Sequence, residues 1–106
     1  MKTDIKTLIA ELKEGLRALY GDRLKGLYLF GSYARHEADE ESDVDVLVVL
    51  DDYESCGEVV DRAGVLGAEL SLRYGVSISK VFLREREWRQ GDTPFLANVR
   101  GEAVAA

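Results

Sequence analysis

Residues 29–50 read LFGSYARHEADEESDVDVLVVL, and this stretch decides how the rest of the chain is understood. An apolar run ends in Gly31-Ser32. After ten further residues Asp43-x-Asp45 opens a second apolar run. Side chains alternate across a strand, so Asp43 and Asp45 share a face. Two like charges so close repel each other, and burial sharpens the conflict. A divalent cation resolves it, and Mg²⁺ is commonly held by one or two carboxylates together with substrate phosphate oxygens. The upstream half suits those phosphates. Gly31 permits close backbone approach. Ser32 offers a hydroxyl and an amide at the start of a turn that can open a helix, where anions bind well. Arg35, one turn further on, carries a forked cationic donor. A phosphate grip and a metal grip thus lie ten residues apart.

Working outward, residues 4–20 carry Ile5, Leu8, Ile9, Leu12, Leu16 and Leu19 at helical spacing, with Asp4 as N-cap and Gly21-Asp22 as the stop. Residues 26–30 read as a strand, and residues 32–37 as a short helix. Residues 43–50 read as a central strand, apolar on both faces after Asp45. Val59, Val60, Ala63, Leu66, Leu70 and Tyr74 describe a long helix capped by Gly75. Residues 76–83 read as a third strand, and residues 84–88 as a helical turn. Thr93-Pro94 is a helix start, with Phe95, Leu96, Val99 and Ala103 as its inner face. The expectation is an α/β (α+β) fold over residues 1–106, a single domain with a small central sheet and helices packed on it.

Composition narrows the function. The chain has 106 residues, is 46% hydrophobic and carries a formal charge of −6. That charge argues against nucleic-acid binding, which needs a basic face. No apolar run reaches membrane-spanning length, and the N-terminus lacks a secretory core. Cys56 is the only cysteine, which excludes an internal disulfide or a cysteine zinc cluster. A cytoplasmic location is expected. LVVLDD suggests the metal strand of a P-loop ATPase, but no GxxxxGK[ST] accompanies it. DEESDVDV lacks the turn glycine of an EF-hand, so Asp51 and Asp52 read as a solvated strand exit.

The pattern Gly31-Ser32, ten residues, Asp43-x-Asp45 is similar to the signature of the DNA polymerase β-like nucleotidyltransferase superfamily. The short chain and GSYAR resemble its minimal nucleotidyltransferase (MNT) group, and the likeness extends through TPFLANVRGEAV. The resemblance implies a nucleotidyltransferase fold with a small mixed sheet. It implies that Gly31 and Ser32 hold a triphosphate, with Arg35 beside them, and that Asp43 and Asp45 are the catalytic, metal-binding pair for Mg²⁺ or Mn²⁺. The reaction it implies moves AMP from ATP to an acceptor hydroxyl. It further implies a partner, a HEPN-domain toxin modified on tyrosine by its antitoxin, in a homo- or hetero-oligomer. Such chemistry relies on positioning and charge neutralisation more than on covalent help.

Two residues depart from that pattern. Active relatives carry a third carboxylate on a neighbouring strand, and Ser77 is expected at its place. His36 stands where relatives often have Gly. Ser77 keeps a second reading open, a catalytically degenerate nucleotide- or protein-binding module that acts by occluding a partner. Tyr74 and Trp88 read as packing residues, Cys56 as inert, and Tyr33 either lines the nucleotide site or packs beneath the turn.

Overall fold

The computed structural model describes residues 5–39, 42–51 and 56–106. Helix α1 (Ile5–Tyr20) leads through a 3₁₀ turn (Gly21–Arg23) into β1 (Leu24–Phe30). Strand β2 (Val44–Leu50) follows, then α2 (Cys56–Tyr74), β3 (Ile78–Arg84), α3 (Glu85–Gln90), α4 (Pro94–Glu102) and β4 (Val104–Ala105). The four strands form one mixed sheet in the order β3-β2-β1-β4. β1 pairs antiparallel with β2 and β4, whereas β2 and β3 run parallel. A parallel pair needs a long crossover, and α2 supplies it.

The sequence of β2 explains its central place. Val46, Leu47, Val48, Val49 and Leu50 are all essentially inaccessible to solvent. Residues of a strand covered on both faces must be apolar on both. Val44, Val46, Val48 and Leu50 face α1 and α2, where Leu8, Leu12, Leu16, Ala63 and Leu70 complete the larger core. Leu47 and Val49 face the other way, toward Val99, Trp88, Val81 and Leu83. Each such side chain contributes about 1.5–3 kcal/mol by leaving water. Asp45 shares the face of Leu47 and Val49, so the alternation that builds the core also aims the acidic pair at the α3–α4 side.

Most expected elements are present. Thr93 caps α4 by accepting a hydrogen bond from the Leu96 amide, with Pro94 in the first turn. Gly75 closes α2 with φ 68° and a Ser71 carbonyl bond. Tyr74 packs on the larger core and its hydroxyl donates to Glu11, while Trp88 lies against Tyr28. Tyr33, partly buried, also packs against the core.

Three expectations need correction. Residues 32–37 form turns rather than a helix. The Arg35 amide bonds to the Gly31 carbonyl, but His36 adopts φ 59° and the Glu37 amide folds back to Ser32. A left-handed residue cannot continue a right-handed helix. Phe95 is 43% exposed rather than buried, touching Phe30 edge-on. The third strand starts at Ile78, not 76. Asp4, Asp52 and the side chains of Cys56, Val59 and Val60 lie outside the described residues. Among the described residues no helix is long and apolar enough to cross a membrane.

Candidate active site

β1 ends at Phe30, whose partner across the sheet is Asp45. The chain must turn away at once, and Gly31 does so with φ 76°. A β-carbon there would sit 2.3 Å from Asp45 Oδ2. Glycine is therefore required twice, for the left-handed backbone and for the carboxylate lying against it. This contact brings the upstream and downstream halves of the motif together. Asp43, exposed, precedes β2 by one residue.

Asp45 is partly buried, and its carboxyl is held above the ordinary carboxylate range. Burial is the main cause and repulsion from Asp43 the next, with attraction to Arg35 only partly opposing them. The charged form is thus under-compensated by the protein's own groups. A hard cation would supply what is missing, so the donor chemistry of Asp43 and Asp45 fits Mg²⁺. Among the described residues no group of three or more His, Cys, Asp or Glu side chains is placed to hold a metal. The pair would need phosphate oxygens or water to complete a coordination shell.

A raised carboxyl pKa carries a stability consequence. Ionised Asp45 costs the folded state free energy, and this cost is absent once pH falls below both the folded and the unfolded pKa. Asp45→Asn is therefore expected to raise the melting temperature at neutral pH. Its advantage should shrink as pH falls through the folded pKa and vanish below the ordinary carboxylate range. Each kcal/mol is worth about 4–8 °C in a domain this small. Thermal melts from pH 3 to 8 check it; an equal gain at every pH would contradict the assigned cause.

The β2–β3 register locates both serines relative to the acidic pair. Asp45 pairs with Ser79 on β3. Ser77 lies before the strand and its carbonyl accepts from the Val44 amide. Paired residues of a parallel ladder point to the same face, so Ser79 is the side chain beside Asp45, and Ser77 lies one pleat further out. Lys80, paired with Val46, points to the opposite face beneath Gly67 of α2, where burial lowers its pKa.

Arg35 is exposed and joined to two carboxylates. Its Nε donates to Glu37 at 2.9 Å and its Nη1 to Glu102 at 2.7 Å. Glu102 also accepts from the Gly31 amide at 3.3 Å. These bonds, Arg35 first, hold the Glu102 carboxyl below its usual range. Sequence reasoning missed Glu102, although Leu96, Val99 and Glu102 follow one another at i, i+3 along a helix whose first two members are buried. An acidic residue continuing a buried face was the available signal.

Comparison with known proteins identifies the family. The nucleotidyltransferase domain family matches residues 9–95. The chain belongs to this family. As a nucleotidyltransferase it is similar in sequence to two archaeal proteins. One, from Methanocaldococcus jannaschii and named by inference a protein adenylyltransferase, is 34% identical over 82 residues, covering 77% of this chain and 82% of the relative. The other, the protein adenylyltransferase MntA of Thermococcus cleftensis, is 36% identical over 90 residues, covering 77% and 89%. Solved structures share the nucleotidyltransferase fold. A chain of a toxin–antitoxin crystal structure with AMP-PNP superposes with a TM-score of 0.64 at 20% identity, covering 94% of this chain and 70% of that one. A chain from the complex of tri-AMPylated Shewanella oneidensis HEPN toxin with MNT antitoxin gives 0.61 at 20% identity, covering 94% and 69%.

Proposed function

We propose that this nucleotidyltransferase transfers AMP from ATP to a hydroxyl of a partner protein, with Asp43 and Asp45 holding Mg²⁺ and Gly31, Ser32 and Arg35 holding the triphosphate. The observation that carries the reading is the packing of Asp45 against Gly31, which sets carboxylate and phosphate turn within one contact. When bound, the cation would neutralise phosphate charge and polarise the reacting phosphoryl group. The chain's own part is to position. The Gly31 turn and Arg35 orient the phosphates, and the acidic pair fixes their approach from the sheet side. The acceptor oxygen bonds the α-phosphorus as the bond to the bridging oxygen of the β-phosphate breaks. Pyrophosphate leaves with that electron pair, and the hydroxyl proton passes to water.

The partner is inferred from chemistry and likeness together. The acceptor is read as a hydroxyl of another protein. The relatives named as protein adenylyltransferases and the complex with an AMPylated HEPN toxin point to a HEPN-type protein, with this chain as antitoxin. The test is transfer of labelled AMP from ATP to a co-expressed HEPN-domain partner. Label on a partner tyrosine supports the reading. A stable complex that never takes up label would favour occlusion, the second reading, which Ser77 keeps open.

Ser79→Asp separates these readings further. A carboxylate beside Asp45 would complete a three-acid site, and transfer is expected to rise at least tenfold, about 1.4 kcal/mol in barrier. Ser77→Asp, one pleat away, should help less. Equal effects of the two substitutions would refute the role assigned to the register.

A further inference from the structure

Glu102 does what an incoming phosphate would have to do. One carboxylate oxygen accepts the Gly31 amide at 3.3 Å and the other accepts Arg35 Nη1 at 2.7 Å. These are the backbone donor and the cationic donor assigned above to the triphosphate. A carboxylate and a phosphate present similar paired oxygens to such donors. Glu102 comes from the last turn of α4, 71 residues from Gly31 in sequence, so the contact is a tertiary one made by the fold. Among the described residues it forms no three-acid group placed to hold a metal.

We propose that Glu102 is an internal competitor of the nucleotide, occupying the donors of the phosphate grip so that a triphosphate binds only by displacing it. The inference rests on the nucleotide-binding reading above and adds a control on it. Competition sets affinity: the ligand must supply more to Gly31 and Arg35 than the carboxylate already does. A monophosphate, with about −1.5 to −2 charge, offers only one phosphoryl group to these two donors, whereas a polyphosphate brings further oxygens to Ser32 and the acidic pair's cation. The device therefore selects triphosphates over monophosphates, and it favours release of AMP-like species. Arg35 is relieved of only one partner, because Glu37 still accepts its Nε. Its side chain stays oriented during the exchange.

The experiment measures binding of ATP, inorganic triphosphate and adenosine by calorimetry to the wild type, Glu102→Gln and Glu102→Ala. Asp22→Asn serves as a charge control, because Asp22 lies in the 3₁₀ turn at the opposite end of β1. ATP and triphosphate are expected to bind roughly tenfold tighter to Glu102→Ala, and by a smaller factor to Glu102→Gln, whose amide oxygen still accepts from Gly31. Adenosine binding and the Asp22→Asn affinities should match wild type. Thermal melts confirm that the variants fold. Unchanged or weaker polyphosphate binding in both Glu102 variants, with wild-type ATP binding still dependent on Asp45, would overturn the competition and leave the nucleotide site standing. A gain equally large in Asp22→Asn would also overturn it, reducing the effect to net charge. If neither ATP nor triphosphate binds any of the proteins, the competition and the nucleotide site fail together.

Discussion

Gly31→Val is expected to abolish triphosphate binding and to destabilise the domain by about 2–4 kcal/mol. The backbone at Gly31 has φ 76°, where a β-branched residue is strained by roughly 1–3 kcal/mol. Its β-carbon would lie 2.3 Å from Asp45 Oδ2, so the carboxylate must move or the turn must open. Either response separates the two halves of the site. The amide now bonded to Glu102 would also lose its direction. Denaturant unfolding gives the stability change, and calorimetry with ATP and Mg²⁺ gives the binding. Gly31→Ala should show the same pattern in milder form. A Gly31→Val protein with wild-type stability and undiminished ATP affinity would remove the turn from the site.

Asp43→Asn and Asp45→Asn should each lower AMP transfer at least ~100-fold, about 2.7 kcal/mol in barrier, while leaving the fold intact. Asp43 precedes β2 and Asp45 lies near its start, and neither belongs to the apolar cores. Asp45→Asn should even melt later, for the reason given above. Loss of activity with gain of stability is the signature of a strained functional group and not of a structural one. Metal-dependent ATP affinity should fall with activity in both variants. If ATP still bound as tightly with Mg²⁺ as before, the acidic pair would be only a solvated strand start.

The parts of the fold that could be read in the sequence were those governed by burial. β2 is apolar on both faces, and the periodic leucines of α1 and α4's Thr-Pro start left little freedom. Same-face placement of Asp43 and Asp45 followed from strand alternation alone. What escaped depended on a level along a strand or on a contact across the chain. Ser77 and Ser79 share parity, and only the β2–β3 register shows that Ser79 is the one paired with Asp45. The helix expected after Ser32 failed at His36, which adopts a left-handed φ. Glu102 could not be tied to Gly31 by spacing, because the link depends on where α4 crosses the sheet.

Strand β4 gives that crossing a tether. Only Val104 and Ala105 pair with β1, at Leu29 and Tyr28, and the Ala106 amide bonds to the Leu27 carbonyl. Glu102 is two residues upstream of this short zipper, and Val104 is half exposed. So brief an edge opens at far lower free energy than the core unfolds. Each opening lets the end of α4 drift from the Gly31 turn. Amide exchange at Ala106 would then clock how often the grip is uncovered, making the protein's periphery the timekeeper of its centre.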